Sequence, residues 1–137
     1  MKTQQVRDLM TAEVFTLRPQ DDLASLYDLM DGKHIRHVPI VDRDRELVGL
    51  VTQRDLSRSA LGSEEAPLSL QRDMLRCRRV REIMATEVDT VEPDEDLRVA
   101  AEILLENKIG CLPVVEGAHL VGILTESDFV RRYVQNS

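Results

Sequence analysis

Residues 47–55 have the sequence LVGLVTQRD, and residues 120–128 have the sequence LVGILTESD. In each stretch a short apolar run leads into Thr-x-x-Asp. An apolar run of this length is typical of a buried strand, and a threonine followed three residues later by an acid is typical of the first turn of a helix. The sequence therefore predicts the same strand-to-helix junction twice in one chain.

The similarity between the two halves extends well beyond these junctions. Residues 6–10 (VRDLM) match residues 80–84 (VREIM), and a single gap in a turn keeps the later motifs aligned. The other matched pairs are Val14 and Val88, Thr16 and Thr90, Pro19 and Pro93, Ile35 and Ile109, Pro39 and Pro113, Val41 and Val115, and Asp55 and Asp128. Because each copy of a repeat forms the same structural unit, this duplication decides the architecture.

Each half begins with the same order of predicted elements. Residues 14–17 and 88–91 are β-branched runs that end near a proline, which predicts a short strand. Acidic residues at 21–22 and 94–96 then mark a helix N-terminus, where carboxylates are favoured. The predicted helices have one apolar stripe each, formed by Leu23, Leu26 and Met30 in the first half and by Leu97, Ala100, Ala101 and Leu104 in the second.

The rest of each half predicts a β-hairpin and a final helix. Residues 38–41 pair with 47–51 across a longer polar turn, and residues 112–115 pair with 120–124 across a tight turn that contains Gly117. The final helices start at the Thr-x-x-Asp motifs. The predicted fold class is therefore α+β, with two βαββα repeats that are each too small to bury their apolar surface alone.

The two repeats are joined by a linker with a short helix. The predicted organisation is repeat 1 at residues 6–60, the linker at 61–79 and repeat 2 at 80–135, with the linker helix at 68–77. The densest positive charge of the chain lies here, at Arg72, Arg76, Arg78, Arg79 and the following Arg81. A solvated linker face is the favoured interpretation over an anion or nucleic-acid site, because stacking aromatic residues do not accompany these arginines.

The composition indicates a soluble globular protein. Of the 137 residues, 42% are hydrophobic and 31% are charged, and no apolar run has membrane length. A net charge of −7 and the absence of tryptophan argue against nucleic acid and anionic lipid as partners. The N-terminus lacks the apolar stretch of a secretory signal, which predicts a cytoplasmic location. Cys77 and Cys111 lie far apart and predict neither a disulfide framework nor a zinc site.

The motifs in this order, twice over, resemble a tandem pair of CBS domains. In each half they are Met, Val-x-Thr-[Leu/Val]-x-Pro, Pro-[Ile/Val]-Val and Leu-Val-Gly-[Leu/Ile]-[Val/Leu]-Thr-x-x-Asp, and they span most of the chain. The resemblance implies repeats that pack through their sheets about a pseudo-twofold axis, and pairs that form homodimers. It implies clefts between the repeats that hold AMP, ADP, ATP, S-adenosylmethionine or, less often, NAD. No obligatory cofactor is implied, and Mg²⁺ is expected only in company with ATP.

The candidate ligand-binding residues follow from this resemblance. The motif acids are expected to bind ribose, the motif threonines to face phosphate or ribose, and two earlier threonines to lie near adenine. In that order these residues are Asp55 and Asp128, Thr52 and Thr125, and Thr16 and Thr90. The residues at the start of each predicted hairpin complete the candidate sites: Arg36, His37, Val38 and Pro39 in the first repeat, and Gly110, Cys111, Leu112 and Pro113 in the second.

The chemistry of Thr-x-x-Asp supports two interpretations. A carboxylate can accept hydrogen bonds from both hydroxyls of a ribose, while the threonine hydroxyl and helix amides face phosphate oxygens. The same spacing is also that of a helix capping box, which needs no ligand. The spacing alone favours the cap, and the resemblance favours the nucleotide.

The two candidate sites differ in charge. Arg36 and His37 stand before the proline in the first repeat, and Gly110 and Cys111 stand at the matching positions in the second. Because a guanidinium and an imidazolium both bind phosphate, the more anionic ligand is expected to favour the site with Arg36. Lys108 of the second repeat would partly offset this difference. The alternative is that both side chains are solvent-exposed loop residues.

Two functions are compatible with the sequence. The first is a regulatory module that senses an adenosine-containing ligand and signals to an unidentified effector protein. The alternative is a ligand-independent module for dimerisation or assembly. An enzyme is not expected, because no nucleophile, base and orienting group occur together and no glycine-rich phosphate loop is present. A metal site is not expected, because the histidines and Cys111 lack paired ligand spacing. Since the repeats and linker fill the chain, a free-standing module is expected.

Overall fold

The computed structural model describes residues 4–59 and 68–136, with the backbone only for residues 68–70. In these ranges the helices are α1 (Leu23–Lys33), α2 (Gln53–Ser59), α3 (Leu68–Arg76), α4 (Leu97–Asn107) and α5 (Glu126–Gln135). The strands are β1 (His37–Val41), β2 (Leu47–Thr52), β3 (Cys111–Glu116) and β4 (His119–Thr125). Short 3₁₀ turns at Val6–Asp8 and Val80–Glu82 stand at the start of each half. The predicted α+β class with two matching repeats is confirmed.

The chain divides into two compact units whose boundaries differ from those of the sequence repeats. The Asp55 unit is Phe15–Val88, and the Asp128 unit is Met1–Val14 together with Asp89–Ser137. Each unit therefore combines the body of one repeat with the leading segment of the other. The motifs of one sequence repeat therefore lie in two different units: the leading segment is in one unit and the rest of the repeat is in the other.

In the Asp55 unit, β1 and β2 form an antiparallel hairpin whose outer edge is covered by the segment at Ala85. The N–H of Ala85 donates to Leu50 O at 2.9 Å, and the N–H of Leu50 donates to Ala85 O at 3.0 Å. Gly49 permits this approach, since a Cβ there would lie 2.7 Å from Met84 Sδ and 3.0 Å from Ala85 O. A larger residue at position 49 would push the segment off the hairpin.

The Asp128 unit has the same arrangement around the hairpin of β3 and β4. Thr11 N donates to Ile123 O at 2.8 Å, and Ile123 N donates to Thr11 O at 2.9 Å. A Cβ on Gly122 would lie 2.7 Å from Met10 Sδ and 3.1 Å from Thr11 O. The methionine that opens each repeat thus packs against the glycine of the other repeat's hairpin.

The first predicted strand of each half is reduced to a single bridging residue. Leu17 donates to Pro39 O at 3.3 Å and accepts from Val41 N at 3.0 Å, as in a parallel pair. A longer ladder would need N–H donors at Pro19 and Pro39, and proline has none. The matching residues of the Asp128 unit are Val91, Pro93, Pro113 and Val115, with bonds of 3.1 and 2.9 Å. The extended backbone was predicted correctly, but a full strand was not.

The helices after these bridges start at the predicted acidic residues. The side chain of Asp22 accepts from Ser25 N at 2.7 Å and caps α1, and the side chain of Asp96 accepts from Arg98 N at 2.8 Å and caps α4. The predicted apolar stripes are buried at Leu23, Leu26, Met30, Leu97, Ala100 and Leu104, whereas Ala101 is half-buried. Each unit has its own core, and these helices supply much of it.

Turns and linker also follow the predicted pattern. Gly117 has a φ of 64° in the tight turn, and the longer turn closes with Arg45 at a φ of 63°. The linker helix is α3, while the predicted loop at 61–67 lies outside the described residues. The guanidinium of Arg72 forms an ion pair with Asp28 of α1, which lowers the pKa of that carboxyl and ties α3 to the unit.

Candidate functional site

The predicted residues of the Asp55 unit meet at one end of the hairpin. The register places His37 opposite Thr52, the last residue of β2. The N–H of Gln53 donates to Arg36 O at 2.8 Å, which holds the start of α2 beside the entry to β1. Arg36 is exposed and His37 is half-buried. The structure therefore brings Arg36, His37, Thr52 and Asp55 together.

The equivalent residues of the Asp128 unit meet in the same way. Cys111 lies opposite Thr125, and the N–H of Glu126 donates to Gly110 O at 3.1 Å. Gly110 has a φ of 80°, a conformation that favours glycine, and the Glu126 carboxyl group lies 3.4–3.6 Å from the place of a Cβ on it. An acid, Glu126, thus lies beside Gly110 at this strand end.

Asp55 caps the helix that contains it and is only half-buried. Its Oδ2 accepts from Thr52 N at 2.9 Å and from the Thr52 hydroxyl at 3.0 Å, while Asp55 N lies 3.3 Å from Thr52 Oγ1. The capping interpretation of the motif is therefore observed here. Within the described ranges, no bond reaches its other oxygen, Oδ1, which leaves an acceptor for a further donor.

Asp128 makes the same cap but has a closed environment, with 5% of its surface exposed. Its Oδ2 accepts from Thr125 N at 2.8 Å and from the Thr125 hydroxyl at 3.3 Å. Its Oδ1 accepts from the Thr11 hydroxyl at 3.3 Å and from an Arg131 guanidinium nitrogen at 3.2 Å. Both oxygens are thus engaged by the protein, which satisfies a buried carboxylate.

Sequence reasoning did not identify Thr11 and Arg131 as partners of Asp128. The aligned repeats do contain the relevant difference, because Thr11 follows Met10 where Ala85 follows Met84. The hydroxyl is present in one repeat and absent from the other. Its contact with Asp128 was hidden because Thr11 belongs to repeat 1 in sequence but to the Asp128 unit in space.

Four of the candidate residues lie within the hairpins rather than at their ends. Val38 and Leu112 have no exposed surface and belong to the two cores. Pro39 and Pro113 are buried, and their carbonyls accept the bridging bonds from the preceding segments. At Val38 and Leu112 only main-chain groups remain to contact a ligand, because the side chains fill the cores.

The two earlier threonines lie at the bridging segments, one residue before the bridge. Thr16 is half-buried and precedes Leu17, and Thr90 is exposed and precedes Val91. In the described part of the chain no hydrogen bond joins Thr16 to Asp55 or Thr90 to Asp128. Each threonine therefore precedes a residue that bridges the first strand of its hairpin. Among the described residues, neither threonine is hydrogen-bonded to a motif acid.

The electrostatics of the two sites differ in the way the sequence indicated. In the Asp55 unit an exposed Arg36 stands beside the neutral Gln53, whereas in the Asp128 unit Gly110 stands beside Glu126. Burial of Cys111, with a smaller contribution from the charge of Asp128, raises the pKa of its thiol to about 12. That thiol is therefore neutral at physiological pH.

The described residues were also compared with the requirements of a metal site, a membrane span and an anion site. They contain no group of three or more His, Cys, Asp or Glu side chains placed to hold a metal ion. None of the helices in these ranges has both the length and the apolar content that a membrane span requires. Arg72, Arg76 and Arg78 of the linker region form ion pairs with Asp28, Asp73 and Glu82, as expected for a solvated, charge-balanced surface.

Comparison with known proteins decides the family. The CBS domain model matches residues 6–62 and again residues 80–135, which together are most of the chain. The chain belongs to the CBS domain family. The predicted resemblance is confirmed, and the chain is a CBS pair.

The CBS pair is similar to solved structures along almost its full length. It has 37% identity and a TM-score of 0.84 with a protein of Vibrio cholerae assigned to acetoin utilization (AcuB), covering 98% of this chain and 93% of that one. It has 28% identity and a TM-score of 0.81 with CBSX2 in complex with AMP, covering 96% of this chain and 97% of that one.

Curated relatives contain the same segment inside longer proteins. Homoserine O-acetyltransferase of Methanohalobium evestigatum is 33% identical over 127 residues, which are 92% of this chain and 23% of that enzyme. The chain spans less than a quarter of the length of the first three curated relatives that it matches. The similarity thus concerns one segment of these enzymes and not their whole length.

Proposed function

We propose that this CBS pair is a regulatory module that binds an adenosine-containing ligand and signals its occupancy to an effector protein. One observation carries the proposal: Asp55 is half-buried, and within the described residues its Oδ1 accepts no hydrogen bond from the protein. Thr52 and the exposed Arg36 belong to the same end of the hairpin. The likeness to CBSX2 in complex with AMP, at 28% identity, supports an adenosine nucleotide as the ligand.

The chemistry of these residues favours a ligand with ribose and phosphate. The vacant oxygen of Asp55 is an acceptor for a ribose hydroxyl, and a charged acceptor makes a stronger hydrogen bond than a neutral one. Arg36 offers a planar guanidinium to phosphate oxygens. AMP, ADP and ATP are the preferred candidates, with S-adenosylmethionine second, and Mg²⁺ enters only with ATP.

The proposal extends to the other predicted features of the protein. It includes the site residues given above for both repeats, with repeat boundaries at 6–60 and 80–135, no obligatory cofactor and no catalytic step. It also includes a homodimer, an unidentified effector protein and a cytoplasmic location.

A second candidate function is assembly without a ligand. Two observations favour it: both Thr-x-x-Asp motifs form helix caps, which explains their spacing, and α5 has three apolar or aromatic residues that are mostly exposed. These are Val130, Tyr133 and Val134, with 64%, 77% and 66% of their surfaces accessible. In this function the acids would stabilise helices, and exposed helix faces would make the contacts.

A panel of ligands separates the two functions. We expect AMP, ADP or ATP to raise the melting temperature of the full chain, because a ligand that binds only the folded state stabilises it by about 2.7 kcal/mol at one hundred times its Kd. S-adenosylmethionine and NAD complete the panel, each with and without Mg²⁺. Calorimetric titration of the wild type, Asp55→Ala and Asp128→Ala then measures the loss of affinity.

The matched control is Asp31→Ala, which removes an exposed acid of α1 in the same unit. It changes the net charge as Asp55→Ala does, but it should leave the affinity unchanged. If none of the five compounds binds, the assembly function is favoured and ligand sensing is wrong. If binding occurs and neither Asp55→Ala nor Asp128→Ala weakens it, the assigned ribose contacts are wrong.

A further inference from the structure

We infer that Thr11 is a specificity-determining residue: its hydroxyl engages the Asp128 carboxylate, so that the adenosine ligand is bound with Asp55 and at most weakly with Asp128. This inference rests on the proposed function and assigns it to one of the two matching sites. It concerns residues within each unit and predicts unequal sites in a chain whose two motifs look alike.

The two motif carboxylates differ in how many of their acceptor positions the protein occupies. Asp128 is 5% exposed, and each of its oxygens accepts two hydrogen bonds from the protein. A ribose hydroxyl could bind Oδ1 only by displacing Thr11 or Arg131. Asp55 is half-buried, and its Oδ2 accepts two hydrogen bonds from Thr52. Among the described residues, none donates to its Oδ1. A ligand gains a new hydrogen bond at Asp55 but merely exchanges one at Asp128.

One pair of matching residues, Thr11 and Ala85, accounts for much of this contrast. Thr11 and Ala85 occupy the same place in their units, since each exchanges two main-chain bonds with the second strand of its hairpin. Both follow the methionine that packs on the hairpin glycine. Ala85 has no hydroxyl, so the bond that Thr11 makes to Asp128 has no equivalent at Asp55.

A second donor strengthens the contrast. Arg131 donates to Asp128 Oδ1 at 3.2 Å across one turn of α5. Arg58 occupies the matching position of α2, but in the described part of the chain it forms no ion pair with Asp55. The alanine at position 85 and the absence of this ion pair both leave Asp55 available.

The charge beside each acid points in the same direction. Glu126 lies against Gly110 in the Asp128 unit, where its carboxylate would repel a phosphate. Gln53 holds the matching main-chain bond to Arg36 in the Asp55 unit and carries no charge. At the start of its hairpin the Asp55 unit therefore lacks the acid that would repel a phosphate in the Asp128 unit.

Calorimetric titration of the full chain with AMP tests the inference. We expect the tight site to have a stoichiometry of one AMP per chain. Asp55→Asn should lower the affinity of this site by about tenfold or more, and the loss should be much larger than that in Asp128→Asn. The decisive variant is Ala85→Thr, which adds the missing hydroxyl and should weaken AMP binding by about tenfold.

The matched control for this variant is Ala85→Val, which has the shape of threonine without its hydroxyl. Position 85 is exposed, so both side chains fit without repacking a core. Ala85→Val should bind AMP more tightly than Ala85→Thr does, because its methyl groups cannot donate a hydrogen bond to Asp55. Thr11→Val should leave the tight site unchanged and increase binding at the second site. Thermal melts show that each variant is folded before titration.

The outcomes separate the inference from the proposed function. Two equal AMP sites per chain, equal losses in Asp55→Asn and Asp128→Asn, or equal effects of Ala85→Thr and Ala85→Val would overturn the inference while ligand sensing stands. A single site that Asp128→Asn removes and Asp55→Asn spares would also overturn it. If AMP and the other adenosine compounds all fail to bind, the proposed function and this inference fall together.

Discussion

Burial of the Cys111 side chain raises the pKa of its thiol to about 12 from an ordinary value of 9.0. The unfolded chain would ionise this thiol near the ordinary value, whereas the folded chain keeps it protonated. The stabilising contribution is therefore complete below pH 9 and is lost as the pH rises toward 12. At pH 10 the loss in the free energy of unfolding should be roughly 1 kcal/mol.

Urea unfolding of the wild type and Cys111→Ala at pH 8 and pH 10 measures this loss. The fall between the two pH values should be smaller in Cys111→Ala, even though the variant is less stable at both. Cys77→Ala is the control, because Cys77 is exposed and its thiol meets water in the folded state. Equal falls in the wild type and Cys111→Ala would show that the Cys111 thiol is not protected by burial.

At the scale of elements, the glycine of each hairpin should be intolerant of a side chain. In Gly49→Ala the new Cβ would lie 2.7 Å from Met84 Sδ and 3.0 Å from the carbonyl oxygen of Ala85. The methionine can move but the main chain can move only by breaking its bonds to Leu50. We expect a loss of about 1–3 kcal/mol in the free energy of unfolding, measured in urea.

Gly32→Ala is the matched control for this substitution. Gly32 lies in α1, and a Cβ there would have no atom within 4 Å. Because alanine favours the helix more than glycine does, this variant should be as stable as the wild type or more stable by up to about 1 kcal/mol. If Gly49→Ala and Gly32→Ala have the same free energy of unfolding, the prediction that Gly49 is required for the close approach of Met84 and Ala85 is wrong.

Much of the element order could be predicted from the sequence because the determinants are local. Asp22 and Asp96 cap their helices, and the hairpins form where short apolar runs flank turns. The length of the first strand could not be predicted from β-branched residues alone. It depends on which strand lies alongside. The partner of the Leu17 segment is β1, and Pro39 of β1 has no N–H to donate to that segment.

The partners of matching residues could not be predicted for a different reason. Met10 and Gly49 stand in one sequence repeat, yet Met10 packs on Gly122. The order of motifs in the sequence is the same whether a leading segment packs on its own repeat or on the other one. The sequence pattern therefore cannot show which of the two packings occurs. For the candidate site this hid the contact of Thr11 with Asp128, although the motif acids themselves were evident.

At the scale of the whole molecule, the exchange of leading segments decides which part of the chain a core mutation affects. Val6 has no exposed surface and packs in the core of the Asp128 unit, and its N–H donates to Glu95 O at 2.9 Å. Val80 has the matching role in the core of the Asp55 unit. Each valine thus stabilises the hairpin and helix of the other sequence repeat.

Val6→Ala and Val80→Ala should therefore have crossed effects. Each removes two buried methyl groups and should cost about 2 kcal/mol in the free energy of unfolding. In native-state hydrogen exchange, Val6→Ala should increase exchange mainly in α4, β3 and β4, and Val80→Ala mainly in α1, β1 and β2. The two variants control for each other, because they make the same change at matching positions.

The opposite pattern would contradict the exchange of segments. If Val6→Ala increased exchange mainly in α1, β1 and β2, the leading segment would pack within its own repeat, and Thr11 would then be near Asp55 rather than Asp128. The hydrogen-exchange pattern thus also tests the geometry on which the unequal sites depend, without any ligand. A shared core would instead loosen both hairpins equally in both variants, because a cavity in it would affect every strand that it supports.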